Sequence, residues 1–102
     1  MIQIQMIETR RFDERQVSIR ATGHAQFAKP GKDIVCAAVS ILLEHTTQNL
    51  TSCHVNDDGV NYNADVLNID EGDKRLLRAL GNTLATIAQQ YPDNLAFTTK
   101  VR

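Results

Sequence analysis

Residues 23 to 40 read GHAQFAKPGKDIVCAAVS, and the way this stretch divides sets the architecture of the chain. Residues 25 to 33 include Lys29, Pro30, Gly31 and Lys32, a composition that breaks regular structure and admits unusual backbone angles, so a loop is expected there. Asp33 then precedes IVCAAVSILLEHTTQNL, where a short side-chain oxygen can take up the first free N–H groups of a helix. Ile34, Ala38, Ile41, Leu42, His45 and Gln48 or Asn49 recur every three to four residues. That spacing predicts a long, mostly buried helix with Cys36 in its first turn.

Working back from Gly23, Val17, Ile19 and Ala21 alternate with Ser18, Arg20 and Thr22, and Ile2, Ile4 and Met6 alternate with Gln3 and Gln5. Period-two alternation predicts two half-buried strands, paired as an antiparallel hairpin across the charged connection TRRFDERQ. Working forward, Asp57-Asp58-Gly59 is a turn signal between two short strands. Asp70 or Asp73 can cap a second helix, whose apolar stripe is Leu76, Leu77, Leu80, Leu84, Ile87 and Ala88. Gly81 inside that helix costs about 1 kcal/mol relative to alanine, which suggests close packing at that point. YPDN ends the helix, and Leu95, Phe97 and Thr99 alternate as a final strand. The order predicts an α+β domain of two layers, a mainly antiparallel sheet with two helices packed on one face. At 102 residues, with no internal repeat and no linker, one domain spanning 1–102 is expected.

Composition narrows the function. Eleven Lys and Arg stand against twelve Asp and Glu, so the broad positive field that holds nucleic acid is missing and no direct nucleic-acid partner is expected. The basic cluster Arg10, Arg11 and Arg15 is interrupted by Asp13 and Glu14 and reads as a solvated hairpin tip. No apolar run approaches the about 18 residues of a membrane helix, and the first residues alternate where a secretory signal would be continuously apolar. A cytoplasmic protein without a membrane partner is expected, and in that compartment Cys36 and Cys53 stay free thiols.

The chemistry then turns on one sulfur. Free cysteine is among the most buried residue types, and Cys36 inside IVCAAV reads equally as packing material. If Asp33 is the cap, however, Cys36 is the third helical residue, where unpaired N–H groups and the positive end of the helix favour a thiolate. His24 leaves the preceding strand just before the loop that returns to that same helix. An imidazole within reach of a thiol accepts its proton and later delivers it to the leaving amine, the requirement of cysteine-based acyl transfer. N–H groups at the helix start can serve the oxyanion. Alternatively, His24 is a turn histidine bonded to a nearby carbonyl. Ser40 lies one turn beyond Cys36 on the same side, free to bond to the site or to a backbone carbonyl. Cys53 and His54, with His24 and Cys36, supply two His and two Cys, but neither CxxC nor HxxxH occurs, so no metal is expected. No glycine-rich phosphate cradle is present either.

The stretch GHAQFAKPGKDIVCAAVSILL resembles the signature of the ribosomal-processing cysteine proteases, the Prp or YsxB-like family: G-H-A, a variable loop, G-x-D-[IL]-V-C-A, then Ala or Gly, Val and Ser or Thr. The opening MIQ strand, the DDG turn and the closing YPDNLAFTTKV also resemble that family. The resemblance implies a homodimeric endopeptidase that needs no cofactor and removes the N-terminal extension of a large-subunit ribosomal protein, the twenty-seventh. By position it implies that His24 and Cys36 are the catalytic pair, that Gly23, Gly31, Asp33 and Ser40 support the site or the substrate, and that the loop 25–33 moves to admit substrate. Against it stand two other readings: a noncatalytic, dimeric ribosome-associated interaction module with a buried thiol, and a redox sensor pairing Cys36 with Cys53.

Overall fold

The two alternating segments at the start form β1 (Ile2–Arg11) and β2 (Glu14–Thr22), antiparallel from Gln3 opposite Thr22 to Arg11 opposite Glu14. The computed structural model describes residues 1–11, 14–23, 34–59 and 61–102. Most of TRRFDERQ, expected as a connection, is therefore strand. The charges are accommodated because Glu8 accepts from Arg15 Nε at 2.8 Å and from Arg10 Nε at 3.3 Å, neutralising neighbours along and across the ladder. Arg10 is exposed, as a solvated tip requires.

The remaining elements are α1 (Ile34–Asn49), β3 (Cys53–Asp57), β4 (Asn61–Val66), α2 (Glu71–Gln90) and β5 (Leu95–Val101). The expected turn joins β3 to β4: Gly59 has φ +87° and its N–H donates to the Asp57 carboxylate at 2.9 Å. The sheet order is β3-β4-β2-β1-β5. Three of its pairings are antiparallel; the fourth, β1 with β5, is parallel and runs from Ile2 opposite Leu95 to Glu8 opposite Val101. The result is an α+β fold with a mixed, mainly antiparallel sheet. Its core joins Ile2, Ile4, Ile19, Ala21, Ala64 and Val66 of the sheet to Val39 and Leu43 of α1 and to Leu77, Leu80 and Leu84 of α2. Ile7 is buried too, although the alternation places it on the other face of the sheet.

Helix α1 begins at Ile34 as expected, but it is rotated relative to the face read from its apolar spacing. The buried residues are Val35, Cys36, Val39, Leu43 and Thr46, continued by Leu50, whereas Ile34 and Ile41 are 68 % and 66 % exposed and His45, Gln48 and Asn49 face solvent. Between Ile34 and Leu43 only Ser40 is polar, so apolar spacing alone selects no face. The choice is made in the second half, where Val39, Leu43, Thr46 and Leu50 hold one register and Glu44 accepts from Gln48 Nε2 on the solvent side at 3.1 Å.

Both candidate caps of α2 are used. Asp70 is the N-cap and accepts from the Asp73 N–H at 2.7 Å, while Asp73 accepts from the Asp70 N–H at 3.1 Å, a closed capping box. Asp73 also accepts from Thr51, through its N–H at 2.9 Å and its hydroxyl at 3.1 Å, which ties the exit of α1 to the start of α2. The tight packing expected at Gly81 is absent: a Cβ there would meet Met6 Sδ at 3.7 Å and Phe97 Cζ at 3.9 Å, ordinary contacts. Gly81→Ala is therefore expected to stabilise the protein by about 0.5–1 kcal/mol through helix propensity. A thermal melt reads this as a rise of about 4–8 °C per kcal/mol, and a lower midpoint would show that those contacts are tighter than their distances indicate.

Candidate active site

Cys36 is the third residue of α1, so its backbone N–H is among those at the helix start that have no partner within the helix. No acidic residue stands in the first turn to offset the positive end of the dipole. The side chain faces the core and is 6 % exposed. Ser40, one turn further on, is half buried. His24, Gly31, Asp33 and the loop 25–33 lie outside the described residues.

Gly23, the residue immediately before His24, is described, and its backbone explains the residue type. Its φ is +78°, and a Cβ on it would lie 2.5 Å from the carbonyl oxygen of Met1, a backbone atom that cannot swing away. Met1 is in turn held by the start of β1, where the Ile2 N–H donates to the Asn94 carbonyl at 2.9 Å. The chain therefore leaves β2 toward His24 along a path only glycine permits. Gly23→Ala is expected to cost about 2 kcal/mol, combining positive-φ strain with overpacking. Gly59→Ala is the control: its φ is +87° with nothing within 4 Å of a Cβ, so only the strain of about 1 kcal/mol remains. Equal losses for the two variants in urea unfolding would remove the role of the Met1 contact.

The second cysteine is built differently. Cys53 is half buried at the start of β3, where burial first, and the negative charge of Asp65 second, push its thiol above the ordinary value. That environment keeps it protonated, the opposite of a nucleophile's needs. Asp65 is itself engaged by the Ser18 hydroxyl at 2.8 Å. Neither cysteine is in a disulfide, and the 13 residues of α1 that follow Cys36 separate them by about 20 Å of helix. His54 is exposed, and among the described residues no group of three His, Cys, Asp or Glu is placed to hold a metal. Nor is any helix among them long and apolar enough to cross a membrane.

A cysteine in the first turn of a helix is the position a thiol-dependent enzyme would use for its nucleophile. Residues 1–96 match the family model described as Cysteine protease Prp, and the chain belongs to that family. It is a cysteine protease. Among solved structures, it is similar to SMU.848 from Streptococcus mutans, with a TM-score of 0.79 and 27 % identity over 100 % of this chain and 96 % of that one. It is also similar to the essential ribosomal processing protease Prp from S. aureus in complex with a substrate peptide: TM-score 0.78, 23 % identity, 98 % of this chain and 100 % of that one. The same S. aureus protease with a covalently linked product peptide superposes with a TM-score of 0.76 at 23 % identity, again over 98 % and 100 % of the two chains. These similarities extend the fold assignment over the whole sheet and both helices. No curated protein matches the sequence.

Proposed function

We propose that residues 1–102 act as a single domain that cleaves a ribosomal protein, removing the N-terminal extension of the twenty-seventh protein of the large subunit with Cys36 as nucleophile and His24 as its base. The observation that carries this reading is the position of Cys36 in the first turn of a 16-residue helix, twelve residues after His24 in the sequence. In that role the Cys36 sulfur attacks the scissile carbonyl while His24 takes the thiol proton and returns it to the leaving amine. The N–H groups at the start of α1 then hold the oxyanion. Water afterwards cleaves the thioester, regenerating the thiol. In this reading Gly23, Gly31, Asp33 and Ser40 support the site or the substrate. Because Cys36 is 6 % exposed, a peptide carbonyl reaches it only when its surroundings open.

The S. aureus protease, a ribosomal processing enzyme crystallised with substrate and with covalently linked product peptides, supports the substrate class by family likeness. The exposed face of Ile34 and Ile41 on α1 supports a homodimer, since it offers apolar surface to a second copy. The test is to incubate the protein with the extended ribosomal protein and with the same protein lacking the extension, and to follow the masses. Loss of the extension from the first and no change in the second supports the reading. An intact extended protein, under conditions where a generic peptide is hydrolysed, removes this substrate and leaves the peptidase.

A further inference from the structure

A second groove lies at the opposite end of β1 from Gly23, six residues of strand or about 20 Å away. It occupies about 360 Å3 between the start of α2 and the β1–β5 edge of the sheet. Its floor is apolar: Met6 and Val17 from the sheet, Leu77 from α2, and Val101, which is 67 % exposed at the end of the edge strand. Four cationic side chains, Arg15, Lys74, Arg78 and Lys100, line it against a single carboxylate, Glu8. Glu8 is already shared between Arg15 and Arg10, and Lys74 bonds Glu71 at 2.8 Å on the solvent side. Arg78 and Lys100 make no ion pair among the described residues. The cations act as one field. Glu71 is held below the ordinary carboxylate range first by its bond to Lys74 and by the Lys74 charge, with Arg15 and Arg78 adding to it.

We infer that this groove is a binding site for a small amphipathic anion, an apolar chain bearing a carboxylate, independent of the proteolytic site. The volume lies within the usual range for small-molecule sites, and the two chemistries are divided as such a ligand divides them. The chain lies along Met6, Leu77 and Val101, and the head group meets Arg78, whose guanidinium offers two parallel donors to a carboxylate. The excess of cations excludes an amphipathic amine of the same length.

The chain provides its own reporter. It has two methionines, Met6 in the groove and Met1 at the far end of the same strand. With methyl-labelled methionine, decanoate titrated below its micellar concentration is expected to shift the Met6 resonance saturably and to leave Met1 in place. Decylamine is expected to shift neither. Arg78→Glu should weaken decanoate binding by about tenfold, the loss of one charge-assisted contact, while leaving peptide hydrolysis unchanged. A silent Met6, parallel shifts of both methionines, equal binding of decanoate and decylamine, or an Arg78→Glu variant that binds decanoate as the parent does would each overturn the site. So would binding of a peptide of alternating Leu and Glu at Met6 when decanoate fails to bind, which would make the groove a protein-docking surface instead.

Discussion

Cys36→Ala is expected to abolish peptide hydrolysis, whereas Cys53→Ala is expected to leave it near the parent rate. The contrast follows from where α1 and β3 place the two sulfurs. Cys36 stands in the first turn of a helix, at the positive end of its dipole and with no acidic residue in that turn, and Cys53 stands beside Asp65 with its thiol pushed upward by burial and charge. Removing the Cys36 sulfur takes away one buried heavy atom, a cost on the order of 1 kcal/mol, so the variant folds and the loss is chemical. His24→Ala is expected to lower the rate by about 10²- to 10⁴-fold, the usual share of a general base, and Cys36→Ala by more, because no covalent route remains. The measurement is mass-spectrometric cleavage of the extended ribosomal protein, with circular dichroism to confirm that each variant is folded. Turnover by folded Cys36→Ala at the parent rate would refute the nucleophile, and turnover lost equally in Cys53→Ala would refute the distinction between the thiols.

Asp73→Ala is expected to cost about 2–4 kcal/mol, because it orphans donors on two segments at once. The carboxylate is 2 % exposed and accepts from the Thr51 N–H, the Thr51 hydroxyl and the Asp70 N–H. Burial alone would raise its pKa, but those donors outweigh burial and hold the carboxyl below the ordinary value. A depressed native pKa fixes the sign of the pH dependence. The stabilisation is fully present above the unfolded value of about 3.9 and is lost as pH falls through the lower folded value. Urea unfolding of Asp73→Asn should therefore show a smaller penalty in strong acid than at pH 7. A penalty unchanged across that range would show that the ionised form contributes nothing.

These two residues also mark what can be read from a sequence and what cannot. Strands β1 and β2 are legible because Ile2, Ile4, Val17, Ile19 and Ala21 are apolar on one side only, and α2 is legible because Leu77, Leu80 and Leu84 form a single stripe among polar neighbours. The face of α1 is not, since a helix start apolar almost all round satisfies several rotations and only packing decides among them. The parallel partnership of β1 and β5 is likewise a matter of how α2 crosses the sheet, which no local pattern encodes. Asp73 reads as a cap; its deep burial depends on Thr51, which is distant in sequence and adjacent in space. At the candidate site, the place of Cys36 in the first turn of α1 is legible from the sequence, and the reason for glycine at position 23 is not, because it depends on the carbonyl of Met1 at the other end of a hairpin.

The alignment of the first strand beside the last has a kinetic side. Nearly the whole chain separates Ile2 from Leu95, so their pairing closes a very long loop and belongs late in folding, after the local β1–β2 hairpin has formed. Until it closes, β1 offers an unpaired edge on which a second nascent chain can add. During synthesis the order is imposed by the direction of translation, since residues 95–101 are made after every other element. A chain stalled before that point holds the cysteine-bearing helix over a sheet that lacks its outer strand, and its own aggregation competes with its completion.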